Sequence, residues 1–189
     1  MYKLFKFTHA ELQPLLDEVA VLEQTTQFGP VVNHRLYLES SKQYMDQFLA
    51  PHVAEFNREH RWPSELQVFR AQKNLRLEDL WVNFMGPGTC TPIHNHGGCV
   101  SWCLWLRVPY VRASELAACP FIPEGNNING DFAFHTVTDR GIKTLPLGVD
   151  KTWEGTLAMW PAYLHHSVFP YYSTDTLRVS VAGNFWFDV

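Results

Sequence analysis

A chain of 189 residues, 46% hydrophobic and 14% aromatic with seven Trp and thirteen Phe, can bury one core and is short for two independent domains. That composition excludes intrinsic disorder, and a net charge of −4 without any block of Lys and Arg argues against a nucleic-acid partner. No run approaches the roughly 18 apolar residues of a membrane span, and residues 1–18 lack the apolar core and cleavage site of a secretory signal, so a soluble, cytoplasmic protein with no membrane partner is expected.

Along the chain, Thr8 with Glu11 three positions on forms a capping-box pattern that opens a helix with Leu12, Leu15, Leu16 and Val19 at helical spacing. A second helix is predicted from Ser40 or Ser41, carrying Tyr44, Phe48 and Leu49, bending at or tolerating Pro51, and ending near "NREHRWP". The texture changes near residue 63. Beyond it, short runs rich in Val, Trp, Phe and Thr alternate with Gly, Pro and Asn, the pattern of a strand-rich sandwich or barrel. Strands are expected at about 78–85, 93–96, 100–108, 131–138, 142–146, 155–160, 165–169 and 176–187, the strand number of a jelly roll. Residues 111–130, rich in turn-formers, are expected to be a loop over one mouth of the barrel. The chain thus reads as one domain, with a helical part at 1–63 and a jelly-roll core at 64–189. Cys90, Cys99, Cys103 and Cys119 form neither a Cys-x-x-Cys pair nor a zinc-ribbon spacing and are read as free, mostly buried thiols.

Three stretches carry chemistry. In "TPIHNHGG", residues 91–98, His94 and His96 lie two apart, so on a strand their imidazoles converge as two adjacent ligands of a metal ion whose third ligand comes from elsewhere. In "GTLAMWPAYLHHSVFP", residues 155–170, a strand turns at Trp160-Pro161 and presents His165 and His166 on opposite faces, so one of them can share that metal. In "TLRVSVAGNFWF", residues 176–187, one face carries Leu177, Val179, Val181, Phe185 and Phe187, the other Arg178, Ser180, Ala182, Asn184 and Trp186. The polar row faces water on an ordinary strand; inside a small barrel its guanidinium and hydroxyl suit an anionic ligand.

Together, His94-x-His96, "MWPAYLHHSV" and Arg178-x-Ser180 resemble the Fe(II)/2-oxoglutarate-dependent oxygenases, over about residues 80–187. The resemblance implies a double-stranded β-helix, cupin-like, with the N-terminal helices packed outside. It implies Fe(II) on His94, His96 and His166, with Trp160-Pro161-Ala162 standing at the family's Phe-Pro-Ser turn and so selecting His166 over His165. It implies 2-oxoglutarate as cosubstrate, its far carboxylate held by Arg178 and Ser180, with Asn184 at the family's closing Asn and Ser101 and Trp105 on the strand after the His pair. Asn83 is a further candidate for the same cavity, and Trp81, Trp102, Trp105 and Trp160 are barrel core or pocket wall. The implied reaction is hydroxylation of a substrate by dioxygen, with release of succinate and carbon dioxide.

One departure from the wider superfamily stands out: its facial triad has two histidines and a carboxylate, and here His96 occupies the carboxylate position. An alternative makes His96 the proximal ligand and Gly98 the vacant position. The chain also fits parts of the cupin motif, Gly88-x5-His94-x-His96 and Gly155-x5-Pro161, but Val100 and Ser101 stand where a cupin has its glutamate. A cupin-type dioxygenase or isomerase and a non-catalytic binding module are therefore the competing readings. The primary substrate and any homo-oligomer are not legible in the sequence.

Overall fold

The computed structural model describes residues 1–60 and 74–188. The texture change expected near residue 63, the domain-part boundary at 63/64 and the end of the second helix beyond His60 lie outside the described residues.

The capping box forms: the Thr8 backbone N–H and hydroxyl donate to Glu11 Oε2 at 2.8 and 2.7 Å. It closes one 3-10 turn (Ala10–Leu12), and helix α1 (Gln13–Thr25) follows with Pro14 in its first turn, where a missing N–H leaves nothing unpaired. Leu12, Leu15 and Val19 are buried. Helix α2 (Lys42–His60) buries Met45, Leu49, Val53 and Phe56, a stripe at helical spacing. Pro51 lies inside it, on the exposed side, as does Gln47, whose carbonyl Pro51 cannot serve and which water can reach. The two helices are joined by Glu18, whose carboxylate accepts from the backbone N–H groups of Glu39, Ser40 and Ser41 at 2.9, 2.9 and 2.8 Å and from the Ser41 hydroxyl at 2.6 Å. A side chain of α1 thereby satisfies N–H groups at the start of α2.

The first third is not only helical. Strands β1 (Lys3–Lys6) and β2 (Asn33–Tyr37) flank α1, and both join a six-stranded antiparallel sheet. Its other members are β3 (Leu75–Met85), β5 (Val100–Arg107), β8 (Thr156–Pro161) and β10 (Arg178–Phe187), in the order β1-β8-β5-β10-β3-β2. The second sheet has the order β4-β9-β6-β7, from β4 (Thr91–His94), β6 (Phe132–Thr138), β7 (Gly141–Pro146) and β9 (His165–Val168). All eight expected strands are present with ends shifted by a few residues. The two N-terminal ones escape a pattern search because each is a short edge strand without a continuous apolar face. Residues 111–130 also depart from expectation. They contain helix α3 (Arg112–Ala118), made of good helix formers, and a 3-10 turn at Glu124–Asn126. Glu115 of α3 is buried and accepts from the N–H groups of Tyr172 and Ser173 at 2.8 and 3.0 Å, which ties this segment to the chain entering β10.

Both faces of the large sheet are covered. Val82, Phe84, Leu104, Val179 and Val181 pack with Leu15, Met45, Leu49 and Phe56 of the helices. Trp81, Cys103, Trp105, Ala158 and Ala182 pack with Phe132, Phe134 and Leu164 in the space between the sheets. The sandwich is a mainly β jelly roll with the helices outside, and a cavity lies at its second, inter-sheet core. Among the described residues no helix is long and apolar enough to cross a membrane.

Candidate active site

The two strands that bring the histidines together are neighbours: β4 pairs with β9, and His94 lies directly opposite His166. His96 is past the end of β4 rather than on it, and its backbone N–H donates to the Ala162 carbonyl at 3.0 Å, so the Pro161–Leu164 turn holds it in place. The glycine pair after it has a steric reason. A Cβ on Gly97 would stand 2.9 Å from the Trp186 ring, and one on Gly98, at φ +90°, 2.9 Å from the Phe185 carbonyl, so only glycine lets the chain turn beneath Trp186 into β5.

The ligand nitrogens of His94, His96 and His166 lie within 4.8 Å of one another. Backbone carbonyls fix two of the tautomers. His94 Nδ1 is 2.8 Å from the Pro92 carbonyl and His166 Nδ1 3.0 Å from that of Leu164; a carbonyl only accepts, so each Nδ1 carries the proton and each Nε2 keeps its lone pair. His96 Nε2 faces His166 Nε2 at 3.2 Å. Burial, reinforced by the other imidazoles, pushes His166 down to about 3 and His96 to about 4, so both are neutral at physiological pH. His166 is clamped between Phe132, stacked at 5.2 Å, and Trp160, edge-on at 4.9 Å, whereas His165 is exposed. Three imidazoles whose ligand nitrogens converge on one point fit a divalent first-row cation such as ferrous iron.

The histidines open onto a cavity with about 430 Å³ of free space, its open mouth included, between the two sheets. The strand register lays out its floor in rungs. Trp81 and Ala182 are opposite each other next to His96, Asn83 and Ser180 form the next rung, and Met85 and Arg178 the one after. Asn83, Met85, Ser180 and Ala182 line the cavity. The indoles of Trp81, Trp102 and Trp160 also line it, and their N–H groups are buried with no acceptor among the described residues.

Arg178 is 2% exposed and lies behind the cavity wall rather than in it, opposite the lining residue Met85. Its Nη1 donates to the Tyr110 hydroxyl at 2.9 Å and to the Gly130 and Phe169 carbonyls at 3.0 and 3.3 Å, its Nη2 approaches Met85 Sδ at 3.4 Å, and its guanidinium lies 5.4 Å from the Tyr171 ring centre. Gly130, at φ +74°, ends the 111–130 segment, and a Cβ there would stand 2.6 Å from Tyr110, so glycine is what lets its carbonyl approach both partners. With one nitrogen held by three oxygens, the guanidinium is fixed in orientation and keeps donors for a further acceptor.

Two of the remaining candidates lie apart from the cavity wall. Trp105 packs edge-on against Phe132 and Trp153 at 5.7 and 5.0 Å in the inter-sheet core. Asn184 is buried where β10 bulges, accepting from the Ser101 hydroxyl at 2.7 Å and donating to Asp79 Oδ2 at 3.0 Å, which occupies both ends of its amide. The structure adds a residue the sequence reading passed over, Arg35 of β2, which lines the cavity and lies over the Trp81 ring at 4.1 Å. The only sequence signal for it is the polar, alternating character of "NHRLY".

A double-stranded β-helix with three metal-competent histidines on its inter-sheet cavity, and a buried arginine packed against the lining residue Met85, defines a class of non-haem metal oxygenase. The family described as "Putative 2OG-Fe(II) oxygenase" matches residues 79–184, more than half of the chain and all three histidines. The chain belongs to this family, whose members are Fe(II)- and 2-oxoglutarate-dependent dioxygenases. Solved structures of similar fold include the viral collagen prolyl hydroxylase of Paramecium Bursaria Chlorella virus-1 in complex with 2-oxoglutarate (12% identity, TM-score 0.55, covering 100% of this chain and 96% of that one). They include a Pseudomonas putida prolyl-4-hydroxylase (12%, 0.52, 98% and 91%) and AviO1 from Streptomyces viridochromogenes Tue57 (10%, 0.60, 98% and 89%). At such identities the likeness is one of fold. No curated protein matches the sequence.

Proposed function

We propose that His94, His96 and His166 hold the ferrous iron and that Arg178 and Ser180 receive the distal carboxylate of 2-oxoglutarate, in an enzyme that hydroxylates an organic substrate. The carrying observation is the convergence of three ligand nitrogens within 4.8 Å at one end of a cavity whose floor runs through Ser180 and Asn83 to Met85, the register partner of Arg178. From Ala182, beside the histidines, to Arg178 is four residues of strand, roughly 13 Å at about 3.3 Å each, a span suited to a five-carbon keto diacid between metal and guanidinium. When bound, the iron and keto acid together supply oxidative decarboxylation to succinate and carbon dioxide, coupled to oxidation of a substrate C–H bond by dioxygen.

The protein's part is geometric. The carbonyls of Pro92 and Leu164 keep the His94 and His166 protons on Nδ1, so two ligand lone pairs point inward without rearrangement. Tyr110, Gly130 and Phe169 hold the Arg178 fork ready for a carboxylate, and Ser180 adds a hydroxyl one rung closer to the metal. Trp81, Phe132 and Trp160 make the walls apolar enough to limit stray water around an oxidising centre. Asn83 contributes an amide to the same wall, whereas Trp105 and Asn184 act by packing and by holding β10 against β3 and β5. We also read the chain as a single domain, supported by β1 and β2 completing both edges of the large sheet.

Adding Fe(II) and 2-oxoglutarate without oxygen should give the weak visible charge-transfer band of chelated keto acid. His166→Ala should abolish it along with metal binding. Arg178→Ala should weaken 2-oxoglutarate by about 30-fold or more, about 2 kcal/mol for a lost buried charge partner, with metal affinity retained. Metal binding that survives His166→Ala, or an unchanged keto-acid affinity in Arg178→Ala, would overturn the assignment.

A further inference from the structure

Arg35 is the one Arg or Lys, among the described residues, that lines the cavity. Among the described residues its guanidinium makes no hydrogen bond and no ion pair, unlike Arg76, Arg107, Arg112 and Arg178, each of which has an oxygen partner. What it does have is a platform: the guanidinium carbon sits 4.1 Å from the centre of the Trp81 ring, whose other neighbour, at 5.6 Å, is the imidazole of His96. Stacking of this kind removes water from one face of the cation and fixes its plane while leaving the in-plane N–H donors free. The register adds a second feature. Arg35 of β2 is opposite Asn83 of β3, which is opposite Ser180 of β10, so a polar row crosses three strands from the sheet edge to the middle of the cavity.

We propose that Arg35 is the recognition point for a carboxylate of the primary substrate, which makes that substrate an organic acid entering over β2. The inference rests on the reading of this cavity as the oxygenase centre. The two arginines then have separate tasks: Arg178 is deep, on the Met85 rung, for the keto acid, while Arg35 is at the edge of the sheet, one rung from Trp81, for the molecule to be oxidised. A carboxylate seated on Arg35 puts the adjoining carbons over Trp81 and towards His96, where C–H oxidation would occur. A carboxylate is favoured over a phosphate because among the described residues no second Arg or Lys lines the cavity, Arg178 lying behind Met85 and given to the keto acid, and Asp79, whose Oδ2 accepts from Asn184 and Trp186, adds a negative charge nearby. A dianion would meet too little positive charge; a monoanion is matched by one guanidinium fork.

The test uses the full chain loaded with Mn(II) and N-oxalylglycine, a keto-acid mimic that does not turn over. Arg35 labelling by phenylglyoxal is followed by peptide mass spectrometry at constant ionic strength, with acetate, acetamide or inorganic phosphate added. Acetate is expected to slow Arg35 labelling saturably, by about threefold or more, and acetamide to leave it unchanged. N-oxalylglycine affinity, measured by calorimetry, is expected to stay within about twofold in Arg35→Ala and Arg35→Lys. Labelling indifferent to acetate, or slowed equally by acetamide, overturns the proposal, and stronger protection by phosphate overturns the carboxylate assignment. A loss of about tenfold in N-oxalylglycine affinity in both variants overturns it in another way, by giving Arg35 to the cosubstrate. Failure of the wild type to bind Mn(II) and N-oxalylglycine would instead count against the oxygenase reading, and the acetate arm, run on the metal-free protein, would still report on Arg35.

Discussion

At the scale of single residues, chemical type and immediate surroundings do different work. The three histidines are identifiable by type and spacing, but two backbone carbonyls orient His94 and His166, and burial keeps His96 and His166 neutral. The cysteines show the same division. All four are free; Cys90 is exposed and Cys99, Cys103 and Cys119 are buried. Burial pushes the Cys103 thiol up to about 12 against the opposing pull of Ser180 and Arg178, and it also raises Cys99. In the native protein iodoacetamide at mildly alkaline pH should therefore label Cys90 about 100-fold faster than the other three, with all four reacting once denaturant is added. Mass spectrometry of the labelled peptides checks this.

Among elements, the α1 and α2 helices read well because their apolar residues recur at helical spacing and because Thr8 and Glu11 announce the start. β1 and β2 do not, since four or five residues at a sheet edge carry no periodic signal strong enough to outweigh the helices beside them. Long-range contacts hold them. β1 is tied to α2 through Lys3, which pairs with Glu55 at 2.7 Å and with Glu59, and β2 hydrogen-bonds to β3, more than forty residues on. Glu18 gives the helix pair a pH dependence. Burial acts to raise its pKa, but the bonds from Ser41, Ser40 and Glu39 outweigh that and hold it below the usual 4.5. A carboxylate held low stabilises the fold fully above its unfolded pKa, and the contribution is lost as the pH falls through the folded value. Glu18→Gln should be less stable than wild type at neutral pH, by about 1 kcal/mol or less once solvent screening is included, and the gap should narrow as the pH falls through the folded pKa of Glu18. Urea unfolding of both proteins across that range gives the measurement.

For the whole molecule, the site belongs to the pairing of two sheets. His94 and His166 are on the four-stranded sheet, Arg178 and Ser180 on the six-stranded one, and the cavity lies between them. A metal and keto acid that contact both sheets bind the folded state and not the unfolded chain, so they should add stability by mass action. Zn(II) with N-oxalylglycine at about a hundred times the dissociation constant should contribute about 2.7 kcal/mol to unfolding, seen as a rise in melting temperature. The rise should vanish in His166→Ala and lose its keto-acid component in Arg178→Ala.

The sequence by itself determined the strand-rich core, the helical stripe, the three histidines and the Arg178-x-Ser180 row, because each is a local pattern of spacing two or spacing three and four, or a motif of neighbouring positions. It also carried the family. Only the tertiary structure decided that the N-terminal strands close the edges of the sheet, that Asn184 is occupied by Ser101 and Asp79, and that Arg35 comes to lie over Trp81. Those facts depend on which distant strands pair and in what register, and a one-residue slip would turn every such side chain to the other face while leaving the local patterns unchanged.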